Sequence, residues 1–245
     1  MTPYIQYYQI QPVHLDATRQ VSPAMLLHFV QEAAGGHCLS LELDWETLAK
    51  TGLFWAVIRH RLEVTRLPKE GETVRVETWP MPTTRSAFPR AAAGYDEEGN
   101  LLFRCTSLWV LMDTEKRQMV LPGKSGIDLE GIVQGNELPA PGSLAPCGGE
   151  IVAARQVWFS ELDRNGHMNN TRYLDWAMDL LPALLRRNKN PKEATLCYLS
   201  EIREGDQIQL TLEDLGADNF RVDAHRLQTD VSQKKERVFS AQLTF

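Results

Sequence analysis

The most polar loop beside an apolar helical pattern is Glu161-Leu162-Asp163-Arg164-Asn165-Gly166-His167-Met168-Asn169-Asn170. Asp163, Asn165 and His167 alternate, so an extended loop turns all three the same way. A carboxylate, an amide and an imidazole in one place can position a water and polarise a carbonyl. The loop runs into an apolar helical pattern, and Asn169 or Asn170 can cap that helix. The first backbone N–H groups of the helix are then free to hold a developing oxyanion. The same residues equally suit a capping loop in which Asp and Asn satisfy their own backbone and the histidine lies at the surface. No G-x-S-x-G elbow, P-loop, G-x-G-x-x-G or metal-ligand cluster occurs, so an enzyme built on this loop needs no cofactor.

The elements that must hold this loop come in two similar series. Ser22-Pro23 is a helix start, Met25, Phe29, Val30 and Ala33 follow at helical spacing, and Gly35-Gly36 closes the run. A shorter helix follows Asp44 and stops by Gly52. The period then changes to two: Ile58, His60, Leu62 and Val64 fall on one strand face, with Arg59, Arg61 and Glu63 on the other. Further strands flank the turns at Glu70-Gly71-Glu72 and Asp96–Asn100. The second series has an extended segment from Val152 to Phe159, the polar loop, and a helix with Tyr173, Trp176, Ala177 and Leu180. A strand near Leu196–Ile202, the turn Glu204-Gly205-Asp206 and three more strands follow. Residues 1–120 and 150–245 therefore read as two diverged copies of one unit, joined by a Gly- and Pro-rich linker over 121–149 that wraps on the surface. A long helix with about four antiparallel strands implies a sheet wrapped around each helix, which must then be apolar nearly all round.

The chain has 245 residues, 43% hydrophobic and 24% charged, with a formal net charge of −6. That balance argues against non-specific nucleic-acid binding. Cys38, Cys105, Cys147 and Cys197 are scattered, which excludes a zinc ribbon and speaks against a disulfide scaffold. No signal peptide and no membrane-length apolar run is visible, so the expected setting is a reducing cytoplasm, or a compartment reached by a presequence already removed.

The stretch Leu162-Asp163-Arg164-Asn165-Gly166-His167-Met168-Asn169-Asn170-Thr171-Arg172-Tyr173-Leu174-Asp175-Trp176 closely resembles the signature of acyl-acyl carrier protein (acyl-ACP) thioesterases of the bacterial type. Gly52–Val57 and Val74–Pro80 are similar to first-half segments of that family. The resemblance implies an α+β fold of two tandem hot-dog units, each an antiparallel sheet around a central helix, pairing as an intrachain pseudo-dimer. It implies an N-terminal unit that binds the acyl chain and a catalytic C-terminal unit using Asp163, Asn165 and His167. It also implies a glutamate on a later strand, where Tyr198-Leu199-Ser200-Glu201 makes Glu201 the match. Plant members carry a cysteine directly after this glutamate, but here the residue is Ile202, so a covalent cysteine route through that position is closed. Cys197 shares Glu201's side if the strand is regular, although a structural cysteine is the simpler reading.

The resulting expectation is direct hydrolysis of acyl-ACP to free fatty acid, ending fatty acid synthesis. Glu201, or failing it Asp163, acts as base, Asn165 and His167 position the water or the carbonyl, and amides near Asn170 hold the oxyanion. No cofactor is implied, since the phosphopantetheine arm belongs to the substrate. The implied partner is acyl carrier protein, without nucleic acid or membrane span, and the chain is expected to be a monomer or homodimer. An acyl-coenzyme A thioesterase, a hot-dog acyl-binding module without turnover and a hot-dog dehydratase are the alternatives. Residues 151–196 hold seven Lys/Arg against five Asp/Glu. Arg164, Arg172, Arg186, Arg187 and Lys189 form a candidate docking patch or, equally, a solubilising helix end. Asp16 stands where Asp163 does, but Ala17-Thr18-Arg19-Gln20 follows it, so the first copy looks chemically silent. His60 reads as a core residue, and His28 and His37 carry no assigned chemistry. Met25, Phe29, Trp55, Val57, Trp79 and Phe88 suit an acyl pocket or plain core.

Overall fold

The computed structural model describes residues 2–227 and 235–245. The chain divides into two compact units, Met1–Pro141 and Gly142–Phe245. In the first, strand β1 (Tyr4–Gln9) leads through a 3-10 turn at Pro12–His14 to helix α1 (Pro23–Ser40). Ser22 caps α1 by accepting the Met25 N–H at 3.1 Å, with Pro23 at the first helical position. The helix does not stop at Gly35-Gly36 but runs on to Ser40. At Gly36 the reason is packing: a Cβ there would sit 2.6 Å from the Tyr4 hydroxyl, so the glycine admits β1 close against the helix. Helix α2 (Trp45–Lys50) starts on Asp44, whose carboxylate accepts the Glu46 and Thr47 N–H groups at 2.9 and 3.3 Å.

Strands β2 (Leu53–Val64), β3 (Thr73–Pro80), β4 (Phe88–Tyr95) and β5 (Leu101–Asp113) follow, with the short β6 (Met119–Val120) beside β5. The antiparallel order is β1-β3-β4-β5-β2. Strand β2 bulges at Ile58, where the register passes from Val57 opposite Trp109 to Arg59 opposite Leu108. His60, Leu62 and Val64 stay buried, while Ile58 leaves the ladder. One face of the sheet meets α1, and Arg90 reaches from β4 to donate to His37 Nδ1 at 3.0 Å. The other face, with Trp79, Ala91 and Ala93, is covered by the Gly- and Pro-rich segment that follows helix α3 (Pro122–Ser125). There the Ile132 N–H donates to the Pro80 carbonyl at 2.8 Å, and the Thr106 hydroxyl to the Leu138 carbonyl at 2.9 Å.

The second unit contains β7 (Glu150–Gln156), a 3-10 turn at Phe159–Glu161, α4 (Asn170–Asp179) and α5 (Ala183–Asn188). Then come β8 (Glu193–Tyr198), β9 (Gln207–Gly216), β10 (Asn219–Leu227) and β11 (Lys235–Thr244), in the order β8-β11-β10-β9-β7. Helix α4 buries Tyr173, Leu174, Trp176 and Ala177. The opposite sheet face carries Asp223, fully buried, which accepts from the Ser240 hydroxyl at 2.5 Å and the Cys147 N–H at 2.9 Å. The strand expected over Leu196–Ile202 ends at Tyr198, because the Leu199 and Ser200 N–H groups both turn to the Val238 carbonyl, at 2.9 and 3.2 Å. Among the described residues, no helix is long and apolar enough to cross a membrane.

This packing has two consequences for stability. Gly94 lies opposite Phe103, whose ring would stand 2.1 Å from an added Cβ, and Phe103 is fully buried. Gly94→Ala is therefore expected to cost about 1–3 kcal/mol in urea unfolding through overpacking; an unchanged midpoint would contradict this packing. Burial, and then the Arg90 charge, push His37 down to about 4, and burial alone takes His60 to about 4. The unfolded chain binds those protons near pH 6.5, so acidification from about 6.5 to 4 favours unfolding by up to ~1.4 kcal/mol per pH unit for each histidine. Unfolding free energies measured at pH 7 and pH 5 should show that loss; equal values would mean these rings are not buried neutral.

Candidate active site

The chain folds back on itself before α4 begins. The Asp163 N–H donates to the His167 carbonyl at 2.8 Å, the Gly166 N–H donates to the Asp163 carbonyl at 3.0 Å, and Leu162 and Met168 close the neck as a bridge. Gly166 takes φ of 74°, where a Cβ would be strained. The Asp163 carboxylate faces this turn: Oδ1 accepts the Asn165 N–H at 2.8 Å and lies 3.4 Å from the His167 nitrogen. The loop is thus not extended. Asp163 is held in an Asx turn with its own backbone, and its Oδ2 accepts the Asn165 side-chain amide at 3.4 Å, so these two side chains meet inside the loop by a turn and not by alternation.

His167 leaves the loop for a different carboxylate. Its Nε2 lies 3.1 Å from Glu201 Oε2, with the histidine side chain 13% exposed and the glutamate 37%. Glu201 sits in the loop after β8 rather than on a strand, so the parity argument linking it to Cys197 lapses. The Cys197 thiol is buried and donates to the Gly142 carbonyl at 3.5 Å, a structural setting. Backbone bonding brings the two loops together: the Met168 N–H donates to the Ile202 carbonyl at 2.9 Å, and the Asn169 N–H to the Glu161 carbonyl at 2.8 Å.

Of the two candidate caps, Asn169 is the one used. Its side chain accepts the Thr171 N–H and hydroxyl, both at 3.0 Å, and its carbonyl takes the Arg172 N–H at 3.0 Å. The Asn170 N–H meets no protein acceptor among the described residues. Behind the site, Tyr173 packs its ring on Phe239 and Tyr198, at 4.8 and 5.4 Å between centroids. Burial, reinforced by the Glu201 charge, pushes the Tyr173 hydroxyl above its ordinary range, so it is a neutral group here.

The first unit contains the same frame without the histidine and the glutamate. The Asp16 N–H donates to the Gln20 carbonyl at 2.9 Å, the Arg19 N–H to the Asp16 carbonyl at 3.0 Å, and Asp16 Oδ1 accepts the Thr18 N–H at 2.7 Å. Leu15 and Val21 form the neck, and the Val21 N–H donates to the Pro68 carbonyl at 3.2 Å. Bond for bond, Asp16 matches Asp163, Thr18 matches Asn165, Gln20 matches His167 and Leu67 matches Glu201. Gly166 is matched by Arg19, at φ of 62°.

Three of the five basic candidates stand beside acidic side chains of the same unit. Arg172 lies 3.5 Å from Asp175, Arg186 3.9 Å from Asp179, and Lys189 pairs with Asp218; Arg164 and Arg187 are exposed. Periodicity gave no sign of Arg226, whose guanidinium donates to the Glu201 carbonyl at 2.9 Å. The matched turns at Glu70-Gly71-Glu72 and Glu204-Gly205-Asp206 were the available clue, since the last acid of each receives a guanidinium. Among the described residues, no three His, Cys, Asp or Glu side chains converge as a metal site would require.

Two helix-on-sheet units in one chain define a tandem hot-dog protein. The chain belongs to the acyl-ACP thioesterase family: residues 2–121 match its N-terminal domain and 149–242 its C-terminal domain. It is 26% identical over 236 residues to a chloroplastic palmitoyl-acyl carrier protein thioesterase of Gossypium hirsutum, covering 88% of this chain and 56% of the relative. It is 28% identical to a chloroplastic dodecanoyl-[acyl-carrier-protein] hydrolase of Cinnamomum camphora, covering 84% and 56%. The chain spans about half the length of these curated relatives. Its fold matches the crystal structure of an acyl-ACP thioesterase from Bacteroides thetaiotaomicron, with TM-score 0.88, 22% identity and coverage of 98% and 96%. It also matches a 12:0-ACP thioesterase from Umbellularia californica, with TM-score 0.81, 23% identity and coverage of 99% and 96%.

The paired loops yield a direct comparison. Asp16→Ala and Asp163→Ala are each expected to lose about 1 kcal/mol of stability, because both strip the turn of its acceptor. Asp163→Asn, which keeps an acceptor oxygen, should recover most of that loss in thermal unfolding. A full loss in the Asn variant would show that the charge, not the turn bonding, matters there.

Proposed function

We propose that this chain hydrolyses the thioester of acyl-ACP, releasing a free fatty acid and the carrier thiol. Family membership supports the substrate class, and the observation that carries the mechanism is the 3.1 Å contact between His167 Nε2 and Glu201 Oε2. Glu201 takes a proton from water as the water oxygen attacks the thioester carbonyl. His167 orients the carboxylate, and with Asn165 positions the water. The developing oxyanion takes the Asn170 N–H at the start of α4, where the helix dipole also favours negative charge. The tetrahedral intermediate then collapses: the C–S bond breaks, and the thiolate leaves and picks up the proton held by Glu201. Thiolate is a good enough leaving group for this modest acid assistance to suffice.

Asp163 is a positioning residue in this scheme. Its Oδ1 accepts from the loop backbone and its Oδ2 from the Asn165 side-chain amide, and Asp16 makes the equivalent backbone bond in a copy with no histidine or glutamate at the matched positions. Water is the only co-reactant, and the phosphopantetheine arm arrives with the substrate.

The test is thiol release from a panel of acyl-ACP substrates and the matching acyl-coenzyme A esters. Glu201→Gln and His167→Ala should each lower kcat at least ~100-fold, while Asp163→Asn keeps more activity than either. Near-normal turnover by Glu201→Gln would overturn the assignment of the base. Equal turnover of the coenzyme A esters would remove the carrier protein from the reading.

A further inference from the structure

We propose that Arg226 is the positioning residue for the Glu201 carboxylate, an inference that rests on Glu201 acting as the base. Glu201 stands in a loop past the end of β8, where no strand ladder fixes its backbone. Arg226, on β10, supplies the fixing. Its Nη1 donates to the Glu201 carbonyl at 2.9 Å and to Asp206 Oδ2 at 3.1 Å. Its Nη2 reaches Ser200 Oγ at 3.4 Å and Glu236 Oε2 at 2.5 Å. One planar guanidinium therefore ties together the residue before Glu201, the peptide of Glu201 itself, the turn that leads into β9, and β11. A guanidinium can do this because its donors are fixed in one plane and it stays charged at all working pH values.

Two acids, Asp206 and Glu236, hold the Arg226 guanidinium in place, and its bond to Glu201 is made to the peptide carbonyl. The Glu201 side chain is left to face His167. The first unit is an internal control for the geometry. There Arg66 Nη1 lies 3.4 Å from the Leu67 carbonyl, the counterpart of Glu201, and bonds Glu72, the counterpart of Asp206, at 2.9 Å. Both copies thus place a guanidinium on the same carbonyl and the same turn acid, but from different elements. In the second unit the position of Arg66 is held by Ser200, a short side chain, and the guanidinium comes instead from the neighbouring hairpin, where Arg226 and Glu236 are cross-strand partners. That exchange keeps the clamp while taking the bulky side chain away from the residue next to Glu201.

The experiment is a double-mutant cycle on the full chain with acyl-ACP as substrate, using Arg226→Met, Glu201→Gln and the double variant, with Arg226→Lys in parallel. Arg226→Met is expected to lower kcat at least tenfold with KM within about twofold, and Arg226→Lys to restore part of that loss through a single donor nitrogen. In the Glu201→Gln background Arg226→Met should cause little further loss, because the group it positions is already gone. A purely structural role would lower both backgrounds by the same factor, and that result overturns the proposal, as does an unchanged kcat. If Arg226→Met does not fold, Arg226→Lys in the same two backgrounds separates the two roles in the same way. Full activity in Glu201→Gln would overturn the reading of the base and the proposal together, whereas an inactive Glu201→Gln beside an unaffected Arg226→Met would overturn the proposal alone.

Discussion

The backbone bond from the Met168 N–H to the Ile202 carbonyl decides what the second unit can do. It joins the loop before α4 to the loop after β8, two segments that chain connectivity leaves far apart, and holds them at 2.9 Å. His167 and Glu201 are the immediate neighbours of its two ends. A backbone bond is well suited to the task, since it has no rotamers of its own and both partners are anchored: Met168 by the bridge to Leu162, and Ile202 by full burial. Everything proposed for catalysis depends on this strap, because a carboxylate and an imidazole on independently mobile loops would meet only part of the time.

The strap and the turn around it are present twice, and the comparison separates what the fold needs from what the chemistry needs. The neck bridge, the Asx turn, the left-handed position and the bond to the facing loop all recur around Asp16. The turn-forming bond of the aspartate is therefore common to both copies. Among the polar side chains the second unit adds around this frame are Asn165 for Thr18, His167 for Gln20 and Glu201 for Leu67. Duplication supplies a rigid mount on which a few substitutions can create a site, in line with the general rule that sites on well-braced elements are more exact than sites on free loops. The first unit fills its own loop position with Leu67, 4% exposed, which serves core packing instead.

Much of this was legible in the residues, and the failures have identifiable causes. Ser22-Pro23, Asp44 and Asn169 announced helix starts because capping is a local interaction between a side chain and amides two or three residues on. Gly35-Gly36 misled because glycine has two uses, and only the position of Tyr4 from a distant strand shows that close approach is the one at Gly36. The alternation of Asp163, Asn165 and His167 predicted a common direction, but period-two logic holds only for extended backbone, and Gly166 at φ of 74° bends the chain out of it. The His167–Glu201 pairing itself came from the family resemblance and not from spacing. Contacts between loops distant in sequence leave no periodic trace, and for the same reason Arg226 was invisible.

Ile202 shows how the frame constrains the chemistry. Its carbonyl is committed to Met168 and its side chain is fully buried. A side chain at this position is directed into the core, while the neighbouring Glu201 remains 37% exposed and faces His167. An apolar residue thus satisfies what the packing asks of the position, and the loop keeps its strap without any reactive group there. The proposed hydrolysis by an activated water requires that Glu201, the amide of Asn170 and the thioester converge, and none of these is supplied by residue 202. The isoleucine accordingly fits the proposed site, in which the residue after Glu201 braces the loop and water is the proposed nucleophile.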